Sequence, residues 1–95
     1  MLHILTKPSD SSAFAQMQLA AGAQDTVLLV EEAVTAALDP TWSAWLHFHQ
    51  RIYLLSEDLT SRGLAKIAAD HGLPTVDVDG FVVLTEQNEK TVTWY

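Results

Sequence analysis

Apolar residues in this chain fall either in short unbroken runs or at every third or fourth position, and turn or cap residues mark each change between the two patterns. Leu2 to Thr6 reads as a first strand, broken by Pro8. Ser9 or Asp10 is then placed to cap a helix in which Phe14, Met17 and Ala21 recur at helical spacing, with Gly22 as its stop. Asp25 to Val30 contains four consecutive apolar residues, Val27 to Val30, as expected of a strand covered on both faces in a parallel sheet. Glu31 to Leu38 is alanine-rich and predicts a short helix or helical turn. Asp39-Pro40 offers a cap followed by proline at a first helical position, so a second short helix is expected to run through about His49.

Ile52 to Leu55 predicts a third buried strand, with Ser56-Glu57-Asp58 as the loop after it and Asp58 as a helix cap. The helix that follows carries Leu59, Leu64, Ile67 and Ala68 and stops at Gly72, with Gly63 an internal weak point costing about 1 kcal/mol relative to alanine. Thr75 to Val78 predicts a fourth strand. Phe81 to Leu84 is ambiguous, because its β-branched residues favour a strand while Asp79 resembles a helix cap. Lys90 to Tyr95 alternates and predicts a last strand at an edge of the sheet. The expected fold is α/β: a single domain over residues 1–95, with a four- or five-stranded, mostly parallel sheet flanked by helices.

Composition narrows the function. Twelve Asp and Glu against five Lys and Arg give a net charge of −7, which disfavours a duplex nucleic-acid binder, since that affinity comes from neutralising phosphates. The chain contains no cysteine, so it has no thiolate of its own to bind metal, form disulfides or carry sulfur. No stretch approaches the roughly 20 apolar residues of a membrane helix, and the first residues lack a signal-peptide layout, so a cytoplasmic location is expected.

Three sets of residues invite a chemical reading. His47 and His49, two apart, diverge on a helix and have no third ligand at a metal-site spacing, so no metal or other cofactor is expected. Glu31, Glu32, Glu57 and Asp58 follow strands, where α/β folds place binding groups, and could act as acid/base pairs. Acids at helix starts also serve simply as caps, and no phosphate-binding glycine loop or nucleophilic serine elbow accompanies them. Trp42, Trp45 and Phe48 recur every third residue beside Leu46; this stripe is either core or a partner-binding face, and the small size of the domain favours the face. Trp94 and Tyr95 extend the same argument to the last strand.

Read together, Met1 to Leu5, Val27 to Val34 followed by Ala36-Ala37, Tyr53 to Leu59 with Arg62-Gly63-Leu64, and Asp79 to Thr85 with Trp94 resemble the TusB/DsrH family along nearly the whole chain. The resemblance implies a DsrE/F-like fold, with Phe81 to Glu86 helical. It also implies a non-catalytic subunit of a sulfur-relay complex that serves 2-thiolation of the wobble uridine of tRNA. The implied partners are TusC-like and TusD-like subunits, in a hexamer of two heterotrimers, with a TusA-like donor and a TusE-like acceptor reached through the complex. In that picture the sulfur-accepting cysteine belongs to the TusD-like subunit. DsrH proteins of sulfur oxidisers often carry a cysteine, which this chain does not. Two other readings stay open: a subunit of a sulfur-oxidation relay, and a small independent enzyme using the loop carboxylates.

Overall fold

Five runs of four or fewer residues, too short to bury themselves singly, pair into one sheet. The computed structural model describes residues Met1–Tyr95. Its elements are β1 (Leu2–Leu5), α1 (Ser12–Ala20), β2 (Thr26–Leu29), a 3-10 helix over Glu31–Leu38, α2 (Ala44–His47), β3 (Ile52–Leu55), α3 (Ser56–Ser61), α4 (Ala65–Asp70), β4 (Thr75–Val76), α5 (Val78–Gln87) and β5 (Thr91–Trp94). The strand order is β4-β3-β2-β1-β5 and every pairing is parallel, with Leu5 opposite both Leu29 and Trp94. The expected α/β sheet and the edge position of the last strand are both found.

This order explains how the helices are distributed. From β1 to β4 the chain moves outward across the sheet, and right-handed crossovers keep α1, the 3-10 helix, α2, α3 and α4 on one face. Only the connection from β4 back past β1 to β5 runs the other way, so α5 lies alone on the second face. The core divides accordingly. Leu5, Val27, Leu29, Ile52 and Leu54 meet Phe14, Met17, Val34, Trp45, Phe48 and Leu59 in a large cluster. On the second face Leu2, Leu28, Leu55 and Leu84 form a small one, edged by half-buried Ile4, Val30, Tyr53, Val76 and Phe81.

Several boundaries differ from expectation. The cap of α1 is Ser11, whose hydroxyl accepts from the Phe14 N–H at 3.2 Å, in place of Ser9 or Asp10. Asp39 does not start a helix at Pro40: its carboxylate accepts from the Thr41 N–H and hydroxyl in a tight turn, and α2 is a single turn beginning at Ala44. Asp58 lies within the first turn of α3, which leaves β3 directly at Ser56. Gly63 is a break rather than a weak point inside one helix; its φ of +70° is left-handed, a conformation glycine adopts without steric cost, and it separates α3 from α4. Strand β4 stops at Val76, and Asp77, not Asp79, caps α5 by accepting from the Gly80 N–H at 2.8 Å. The ambiguous Phe81 to Leu84 segment is helical.

Candidate functional site

The carboxyl ends of β2, β3 and β4 bring Glu31, Glu57, Asp58 and Asp77 to one rim of the sheet, and backbone donors occupy the side chains of Glu57, Asp58 and Asp77. Glu31 has a left-handed φ of 52°, and its N–H donates to Asp58 Oδ2 at 2.6 Å. Asp58 therefore ties the turn after β2 to the start of α3. Glu57 accepts from the Val78 N–H at 3.2 Å through Oε2 and from the Ser56 hydroxyl at 3.1 Å through Oε1, so it braces the entry to α5. Glu32 is exposed and lies 3.8 Å from Lys7 Nζ.

The only hollow on this rim is an open one of about 420 Å³ between Ser56, Glu57, Thr60 and Ser61. Its lining has hydroxyls and one carboxylate but no apolar wall or cation to orient a small substrate. Between β1 and β5, where the strand order reverses and α/β folds commonly bind ligands, Thr6 closes the gap: its N–H and hydroxyl both donate to the Trp94 carbonyl, at 3.2 and 2.8 Å. The geometry of these carboxylates suits helix starts and turn closure.

The aromatic stripe requires correction. Phe48 is fully buried and Trp45 nearly so, while Trp42 is half-buried with its ring edge-on to Phe14 at 4.8 Å and to Trp45 at 5.6 Å. Trp45 Nε1 donates to the Asp39 carbonyl at 3.0 Å. These rings face inward because α2 is a single turn that shares its side of the sheet with α1, the 3-10 helix, α3 and α4, whose side chains join Trp45 and Phe48 in the larger cluster. The exposed apolar side chain here is Leu46, at 83%. A second hollow, about 440 Å³, lies at the amino ends of β3 and β4, with Trp45 and Leu73 among its walls. Tyr95 is exposed, also at 83%, whereas Trp94 is half-buried and engaged.

The engagement of Trp94 forms a polar cluster that sequence reading missed. His3 is completely buried, and its two nitrogens meet Trp94 Nε1 at 3.0 Å and Asp25 Oδ2 at 2.8 Å. An indole N–H can only donate, so Nδ1 accepts and the hydrogen of the neutral ring sits on Nε2, directed at Asp25. Burial pushes the Asp25 carboxyl up, but the Gly22 N–H, His3 and the Met1 ammonium outweigh it and hold the group at about 2. His47 and His49 are exposed on and just after α2, and His71 lies 3.1 Å through Nδ1 from the Ala37 carbonyl. No helix is long and apolar enough to cross a membrane.

Comparison with known proteins agrees along the chain. Residues 6–91 match the family described as DsrH like protein. A protein of Escherichia coli O1:K1 / APEC named "Protein TusB" is 30% identical over 96 residues, covering 99% of this chain and 100% of that protein. A Shigella boydii serotype 18 protein of the same name matches with the same identity and coverage. With the family match running from the end of β1 to the first residue of β5, and the similarity to the Escherichia coli protein covering 99% of the chain, the chain belongs to the DsrH-like family.

Proposed function

We propose that this chain is a non-catalytic structural subunit of a cytoplasmic sulfur-relay complex that supports 2-thiolation of the tRNA wobble uridine. It assembles with TusC-like and TusD-like subunits as two heterotrimers, and a TusA-like donor and a TusE-like acceptor are contacted through that complex. Full-length similarity to proteins named TusB carries the reading. The chemistry of the chain supports it: there is no thiol to receive a persulfide, and the first turn of α3, directly after β3, offers Ser56, Glu57 and Asp58, whose two carboxylates would raise the pKa of any thiol placed there.

Incubated with a persulfide donor in the assembled complex, this chain is expected to gain no sulfur mass while a cysteine-bearing partner gains it. A sulfur adduct on this subunit in intact-mass spectra would overturn the assignment. Glu57→Gln and Asp58→Asn keep an oxygen acceptor for Val78 and Glu31, so sulfur transfer through the complex is expected to stay near wild type. A general acid or base contributes about 10²–10⁴-fold to rate; a loss of that size at either position would favour the independent enzyme instead.

A further inference from the structure

The second face of the sheet is only partly covered. A helix is about 10 Å across, whereas five strands spaced about 4.8 Å apart make a sheet close to twice that width. Helix α5 therefore leaves Ile4, Val30 and Tyr53 half-buried beside it. Its own sequence is apolar on more than the side it buries. Phe81 and Leu84 turn to the sheet, but Asp79, Val82, Val83 and Glu86 stand at positions i, i+3, i+4 and i+7, which share one face, and all four are exposed. Val82 and Val83 are 48% and 47% exposed, with a carboxylate one turn before the pair and another one turn after it. A helix apolar on opposite sides is characteristic of a buried one.

We infer that the outward face of α5 is the docking surface for a related α/β subunit that presents aliphatic side chains between Lys or Arg side chains. Charge selects this occupant. In a pairing of α5 with α5 of a second copy, parallel or antiparallel, Asp79 and Glu86 meet carboxylates again, and like charges brought together are repulsive. A nucleic acid is repelled by the same two groups. A partner with cations set to meet Asp79 and Glu86 gains two ion pairs around a dry valine contact, and α5 carries no Lys or Arg to compete for them. The identity of the partner rests on the relay-subunit reading, while the surface rests on the helix itself.

The test uses the full chain coexpressed with the TusC-like and TusD-like subunits of its host. The double variant Val82→Glu, Val83→Glu is expected to weaken assembly about tenfold or more, and Asp79→Lys, Glu86→Lys to weaken it too, while each variant alone keeps the wild-type circular dichroism. Leu19→Glu, at a 90% exposed position on α1 across the sheet, is expected to assemble normally. Wild-type affinity is expected to fall as salt is raised, because the rim contacts are screened. If the α5 variants assemble like wild type while Leu19→Glu or Leu46→Glu does not, the surface is wrong and the relay-subunit reading stands. If wild type binds neither subunit, that reading fails. If this chain self-associates through Val82 and Val83, the occupant is a second copy and the charge argument is refuted.

Discussion

Phe48→Ala is expected to destabilise the isolated chain by about 3–5 kcal/mol, the range for removing a large aromatic side chain from a core. The ring is 1% exposed; the His47 ring packs edge-on against it at 4.7 Å, and the Arg51 guanidinium lies 5.6 Å from its centroid. Deleting it opens a void among Ala44, Ile52 and the rest of the larger cluster, which a one-turn helix pinned by flanking turns cannot close by shifting. A domain of this length has a total stability of about 5–14 kcal/mol, so the variant should be largely unfolded or melt far below wild type. Trp45→Ala should be comparably damaging and also remove the indole donor from the Asp39 carbonyl, which keeps the Trp42 N–H as its remaining donor. Leu46→Ala, on the same turn but pointing to solvent, should change stability by about 0.5 kcal/mol or less. Urea melts followed by circular dichroism decide the matter. A Phe48→Ala protein that melts like wild type yet fails to assemble would return the stripe to the role of a partner-binding face.

What could be read from the sequence depended on whether the deciding interaction was local. Val27 to Val30 and Ile52 to Leu55 announce a doubly covered parallel sheet because burial on both faces removes polar alternation, a signal contained within each run. The caps were harder for a different reason. Ser9, Asp10 and Ser11 can all accept a backbone N–H, as can Asp77 and Asp79; the chain path out of the preceding strand determines which one meets a free donor. Gly63 has the same limitation: a glycine among helical apolar residues does not disclose its positive φ. The every-third spacing of Trp42, Trp45 and Phe48 correctly placed them together but carried no information on which side the remaining helices would pack. His3 was unreadable in principle, since its two partners are 22 and 91 residues away. The valine pair on α5 was hidden because the local pattern of Phe81 to Leu84 is ambiguous between strand and helix: only the family resemblance made it helical, and a run this short does not show which face Val82 and Val83 take.

Asp25→Asn is expected to cost about 1 kcal/mol at neutral pH, because solvent screens a carboxylate that water still reaches, and to remove a specific part of the acid sensitivity of the fold. The carboxylate joins three parts of the chain: it accepts from the Gly22 N–H at 2.9 Å, from His3 Nε2 at 2.8 Å and from the Met1 ammonium at 3.2 Å. Asparagine can set its oxygen where Oδ2 accepts from Gly22 and His3, but it has no charge, and its amide nitrogen then brings hydrogens toward the Met1 ammonium. The sign of the pH effect follows from proton binding. The unfolded chain takes up a proton here near 3.8, whereas the folded protein does not until about 2, so the stabilisation is complete above about pH 4 and lost as pH falls through about 2. The difference in stability between wild type and Asp25→Asn should therefore be largest at neutral pH and shrink across that window, as urea midpoints at a series of pH values will show. Two stability curves that stay parallel from neutral pH down to about 2 would mean that the carboxylate contributes through hydrogen bonds available equally to the amide. The ionised cluster around His3 would then have no energetic part in holding β5 and Trp94 against β1.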